Sequence, residues 1–183
     1  MLDRLRSFAI PAAIVLLLVW VALSGSGLGS GNLAPGTRIE SFTLTNLADG
    51  KATDLASLVS DGPVALHIFA TWCGACMREW PSLEGIAARH GEDLRLIPIG
   101  LDQPSALRDL VRKKPIGVPV FVGGEAVERA LRVPMYPYTV FVGPNLRVIH
   151  DHAGIVGDRA FLSAIQRLKA APEATVPARV AQR

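Results

Sequence analysis

Val64-Ala65-Leu66-His67-Ile68-Phe69-Ala70-Thr71-Trp72-Cys73-Gly74-Ala75-Cys76 is the stretch from which the fold can be read. Its first seven residues form a near-continuous apolar run, too short for an ordinary helix and long enough for a strand buried on both faces. Such a strand belongs in the middle of a sheet. From Cys76 to His90 the period changes: Met77, Trp80, Leu83, Ile86 and Ala87 recur at spacings of three and four, which predicts an amphipathic helix. The two cysteines therefore stand where a buried strand ends and a helix begins. Free N–H groups and a partial positive charge at that helix start favour Cys73 as a thiolate, the nucleophilic form of sulfur. Cys76, one turn later and deeper in the helix, is placed to resolve a mixed disulfide that Cys73 forms with a partner. A purely structural bridge is the weaker reading, because closing a two-residue loop restrains the unfolded chain little. The chain has two cysteines in all, so no cysteine-based zinc cage can be built.

Outward from this centre the chain alternates strand and helix signals. Arg38 to Leu44 alternates apolar and polar residues as a half-buried strand would, and Asp49-Gly50 marks a turn. Leu94 to Ile99 is strand-like, Ser105 to Arg112 helix-like and Val118 to Val122 strand-like again. Tyr138 to Val142 and Arg147 to His150 flank Gly143-Pro144-Asn145, so they are expected to pair as a hairpin. Asp158 can cap a last helix running to about Lys169, with Phe161, Leu162, Ile165 and Leu168 on one face. This order of elements predicts an α/β domain over residues 37–170, a central mixed sheet with helices on both faces. Residues 171–183 carry two prolines and no period, and are expected to be a disordered tail.

The composition bounds the rest. In 183 residues there are 19 Lys+Arg against 16 Asp+Glu, a net charge of +3, with half of all residues hydrophobic. That balance excludes a disordered chain, and the basic residues form no stripe interleaved with aromatics of the kind that binds nucleic acid. Arg4 and Arg6, in an expected cytoplasmic segment of residues 1–7, precede an uncharged, mostly apolar stretch. Residues 8–24 are thus expected to be a transmembrane anchor or, with Ala22-Leu23-Ser24 as a cleavage site, a signal peptide. Residues 25–36, rich in Gly and Ser, read as a flexible linker. Positive charge before the apolar stretch sets the N-terminus inside and the domain outside, where disulfides persist.

The surroundings of the cysteines carry a resemblance. Gly36…Phe42-Thr43-Leu44, Phe69-Ala70-Thr71-Trp72-Cys73, Cys76-Met77-Arg78-Glu79-Trp80-Pro81-Ser82-Leu83 and Val133 to Thr139 together resemble the membrane-tethered, thioredoxin-like TlpA/ResA/DsbE type of thiol-disulfide oxidoreductase. The resemblance runs from about Gly36 to Leu168. It implies a thioredoxin-like fold anchored by one N-terminal transmembrane segment in a bacterial inner membrane, with the catalytic domain in the periplasm. It further implies protein thiol or disulfide substrates, a membrane thiol carrier as electron donor, and no cofactor beyond the Cys73–Cys76 pair. Pro81 would kink the active-site helix. Pro137 matches the family's cis-proline, with Pro134 as the competing candidate; a cis bond there would turn the Tyr136 backbone towards Cys73 to pair with an extended substrate. Trp72, Tyr136 and Tyr138 are the expected substrate contacts.

Several departures bear on mechanism. The place of thioredoxin's proline inside its redox pair is held by Ala75, and Met135-Tyr136-Pro137-Tyr138 lacks the Gly-x-Pro-Glu of the cytochrome c maturation branch. Six residues before Cys73, where thioredoxin has a buried acid and the family often an Asn, stands His67. Two readings of it remain open: a general base for Cys76, or a neutral histidine in the core. Glu79 is the alternative base, or else a surface carboxylate. His150 and His152 would share one strand face, an incomplete ligand set, and no metal is expected. The Pro-x-x-x-Thr-x-x-Cys signature of a thiol peroxidase is absent. A reductase of protein disulfides is the leading reading. An oxidase running in reverse, or a non-catalytic peptide-binding or chaperone module, is the alternative.

Overall fold

The computed structural model describes residues 32–170. Seven strands form one sheet: β1 (Thr43–Asn46), β2 (Ala52–Asp54), β3 (Val64–Phe69), β4 (Arg95–Gly100), β5 (Phe121–Val122), β6 (Tyr138–Gly143) and β7 (Arg147–Ala153). Four helices connect them, α1 (Leu55–Ser60), α2 (Gly74–His90), α3 (Pro104–Lys113) and α4 (Glu125–Leu131), and a fifth, α5 (Asp158–Ala170), follows β7. The strand order is β2-β1-β5-β4-β3-β6-β7. β3 runs parallel to β4 and antiparallel to β6, so the sheet is mixed, as expected. All six residues of β3 are buried, which is why its sequence shows no alternation.

Two cores lie against the two faces. Leu66, Ile68, Tyr138 and Val140 pack with Leu55 and Val59 of α1 and Val127 and Leu131 of α4. Ala65, Phe69 and Phe141 pack with Trp80 and Leu83 of α2 and Phe161 and Ile165 of α5. Burying a side chain such as Phe69 is worth roughly 1.5–3 kcal/mol, and its ring meets that of Trp80 at 4.8 Å. This contact seats α2 across the end of β3. The helix continues through Pro81, whose missing N–H leaves the Met77 carbonyl without its usual donor.

The structure differs from the sequence expectations at several places. The strand expected over Arg38 to Leu44 begins only at Thr43, and Arg38 makes an isolated bridge with Arg147. The strand expected over Val118 to Val122 is reduced to Phe121–Val122. The link between β6 and β7 is a short 3-10 turn, Pro144–Leu146, in which Asn145 and Leu146 both take φ 60°. The linker expected to reach residue 36 ends earlier, because Leu33 is buried and its N–H donates to Asp151 Oδ2 at 2.9 Å. Residues 1–31 and 171–183, with the anchor, most of the linker and the tail, lie outside the described residues. No helix among the described residues is long and apolar enough to cross a membrane.

Candidate active site

Cys73 is the N-cap of α2 and is disulfide-bonded to Cys76, with Cα atoms 5.2 Å apart. Its Sγ accepts the Cys76 backbone N–H at 3.2 Å. The sulfur thus lies against a free helical donor, the arrangement that favours a thiolate once the bridge opens. Upstream, the Thr71 N–H donates to Asp102 Oδ2 at 2.7 Å and the Cys73 N–H to the Ala70 carbonyl at 3.1 Å, which fixes the turn from β3 into α2. Both cysteines are buried, Cys76 the more deeply.

The rim is aromatic. Trp72 is 72% exposed and meets the Tyr136 ring edge-on at 5.5 Å. The Tyr136–Pro137 peptide is cis, at the proline that matches the family position, and Pro134 is not the cis residue. The Tyr136 hydroxyl donates to Glu128, and burial together with that carboxylate pushes the phenol up to about 12. Tyr138 corrects an expectation. It is wholly buried and donates its hydroxyl to Asp151 Oδ2 at 2.5 Å, so its side chain touches no substrate. It faces the core covered by α1 and α4, while Thr139 beside it faces α2.

Beneath the disulfide the structure joins two residues that the sequence offered as alternatives. His67 is completely buried, and its Nδ1 is hydrogen-bonded to Thr139 Oγ1 at 3.0 Å. Burial pushes its pKa down to about 3, so the ring is neutral near pH 7 and is not the titrating base. Glu79 is 3% exposed, which excludes the surface reading. Its Oε1 accepts the Val156 N–H at 2.5 Å, and its Oε2 lies 3.7 Å from His67 Nε2. Burial pushes this carboxyl up to about 7, with the Val156 bond opposing the shift. Glu79 therefore changes charge near neutrality and not in the ordinary carboxylate range. It follows Cys76 by three residues on the same helix, the spacing that puts two side chains on one face.

Sequence reasoning missed Asp102, Glu128, Thr139 and Asp151 as parts of this framework. For Asp151 the signal was present: strand alternation turns it away from His150 and His152, onto the face that holds Tyr138. Those two histidines have other partners, His150 stacking on Phe141 with ring centroids 6.1 Å apart and His152 Nε2 donating to the Ile155 carbonyl at 2.9 Å. Among the described residues no group of three or more His, Cys, Asp or Glu is placed to hold a metal.

The AhpC/TSA family model matches residues 35–151. The chain is similar to a thioredoxin of Mycolicibacterium smegmatis, 38% identical over 73 residues, which are 38% of this chain and 63% of that protein. The matched stretch thus spans less than two thirds of that thioredoxin. It is also similar to the thiol-disulfide oxidoreductase ResA of Bacillus cereus, 24% identical over 151 residues, 77% of this chain and 86% of that one. Among solved structures, a DsbF homologue from Corynebacterium diphtheriae superposes with a TM-score of 0.64 at 17% identity, covering 78% of this chain and 94% of its own. The fold is thioredoxin-like.

Proposed function

Because this chain belongs to the AhpC/TSA family, we propose that it is a thiol-disulfide oxidoreductase of the ResA/DsbE type that reduces disulfides of partner proteins. The observation that carries the reading is the Cys73–Cys76 disulfide closed across the first turn of α2, with a buried carboxyl one turn further on. In the reduced enzyme the Cys73 thiolate attacks one sulfur of the partner disulfide and expels the other as a thiolate. Cys76 gives its proton to the Glu79 carboxylate and attacks Cys73 Sγ. The partner leaves with both sulfurs reduced, and the Cys73–Cys76 bond stores the two oxidising equivalents. The exposed Trp72 and the half-buried Tyr136 beside it form the apolar surface on which the partner lies.

The basic start and apolar run of residues 8–24 support an anchored domain outside the cytoplasm, resupplied with electrons by a membrane thiol carrier. Equilibration of the pair with a glutathione buffer tests the direction. A potential near the roughly −270 mV of thioredoxin supports a reductase, and one near the roughly −120 mV of a strong oxidant overturns it. Insulin reduction tests the class, since a non-catalytic binding module retains its rate after Cys73→Ala and an oxidoreductase loses it.

A further inference from the structure

Sheet register puts three hydrogen-bonding residues in one row: His67 on β3 is opposite Thr139 on β6, and Thr139 is opposite His152 on β7. Glu79 on α2 stands over the buried end of this row. Among the described residues three buried side-chain polar atoms have no hydrogen-bond partner, and two of them, His67 Nε2 and Glu79 Oε2, face each other at 3.7 Å. Orphaned buried polar atoms are rare because they are costly. Two that face each other amount to one hydrogen bond, which closes with a shift of about 0.5–1 Å.

A neutral imidazole has one donor nitrogen and one acceptor nitrogen, and a hydroxyl can play either part. We propose that His67 is a neutral tautomeric partner of Glu79, presenting an acceptor to the carboxylic acid and a donor to the carboxylate. In the acid state the Glu79 O–H donates to Nε2, and Nδ1–H donates to Thr139 Oγ1. In the carboxylate state Nε2–H donates to Oε2, and Nδ1 accepts the Thr139 O–H. The two states differ by one proton in total. Water takes it up at the β7 edge, where His152 continues the row and is partly exposed. Imidazolium is not formed in either state.

The surroundings leave the exchange to these groups. Facing Glu79 are His67 from the sheet and the Val156 amide from the loop after β7; Thr139 lies beyond the far side of the His67 ring, and Cys76 precedes Glu79 by three residues on its own helix. α5 packs on the same face with Phe161, Ala164 and Ile165. The nearby charges of α2 and α5 are engaged at the surface, Arg89 and His90 both bonding Asp158. On β7, His150 is stacked on Phe141 and burial lowers its pKa. Both charge states of Glu79 then have a partner, and the carboxyl can take the Cys76 proton and release it with little rearrangement. His67 acts through Glu79 and is a positioning residue. The inference rests on the reading of Glu79 as the base for Cys76.

NMR of the oxidised full chain, labelled with 15N at histidine and 13C at the glutamate carboxyls and titrated from pH 5 to 9, tests it. His67→Gln identifies the His67 signals by their loss. The expected result is a ring that stays neutral while its Nδ1 and Nε2 shifts exchange donor and acceptor character near pH 7, with the same midpoint as the Glu79 carboxyl carbon. The exchange disappears in Glu79→Gln. One tautomer at every pH, joint titration of both nitrogens to imidazolium, or a midpoint different from that of Glu79 overturns the proposal. An intact exchange in the wild-type protein, beside unchanged insulin reduction by Glu79→Gln, supports the tautomeric pair and removes Glu79 as the base. No exchange beside Glu79-dependent reduction overturns the pair and leaves the base in place.

Discussion

Replacing Glu79 by Gln separates the carboxyl's charge from its shape. The amide keeps an oxygen to accept the Val156 N–H and fills the same volume, while the ionisation is lost. Burial raises the carboxyl's pKa from 4.5 to about 7 in the folded protein. A group whose folded value is raised contributes stability that is complete below its unfolded value and is lost as pH rises through the folded value. For this shift the loss amounts to about 1 kcal/mol at pH 5 and about 3 kcal/mol at pH 8, at most. His67 runs the other way: its lowered pKa gives stability that is present above 6.5 and lost as pH falls toward about 3. Both proteins carry that second dependence, so it cancels in their difference. Urea unfolding of the oxidised proteins is therefore expected to show Glu79→Gln gaining about 2 kcal/mol on wild type between pH 5 and pH 8. Its resolving step, followed by release of a reduced partner, is expected to slow by about a hundredfold at pH 7. A stability gap that is the same at both pH values would falsify the claim that this carboxyl is held neutral by burial.

Three further outcomes follow from the placement of other residues. Cys76→Ser leaves Cys73 able to attack and unable to be released, so covalent adducts with partner proteins are expected on non-reducing gels; their absence would reassign the nucleophile. Trp72→Ala is expected to change stability by less than about 0.5 kcal/mol, because the side chain is 72% exposed, and to lower kcat/KM for a protein disulfide severalfold while sparing a small disulfide. An equal loss for both substrates would remove Trp72 from partner contact. Tyr138→Phe takes one of two donors from the buried Asp151 and is expected to destabilise the fold by about 1–3 kcal/mol, with the exchange rate per folded molecule unchanged. A slowed exchange in a fully folded variant would return Tyr138 to the active site.

Legibility followed the strength of the local signal. β3 and α2 were readable because each makes one kind of demand on every residue: complete burial in the strand, one apolar face in a helix of seventeen residues. α1 and α4, with six and seven residues, contain too few turns for a period to emerge, and neither was assigned. Yet α4 supplies Glu128, which holds the Tyr136 ring at the rim. Tyr136 and Tyr138, two residues apart, invited a common role. β6 begins at the second of them, and from that first residue the pleat commits Tyr138 to the far core.

The centre of the site shows why residue types can be read before their relations. His67 and Glu79 were both visible as proton carriers, but they lie on different elements, and no sequence period relates a strand residue to the second turn of the helix after it. Their approach is set by how α2 crosses the sheet, which depends on Phe69 against Trp80 and on α5 closing over both. The same packing removes water from the pair. It lowers the pKa of the histidine and raises that of the carboxyl, each by penalising the charged form. Two residues that looked like competing bases are thereby given complementary parts: the one driven neutral far below working pH can only donate or accept a hydrogen bond, and the one held near 7 moves the proton.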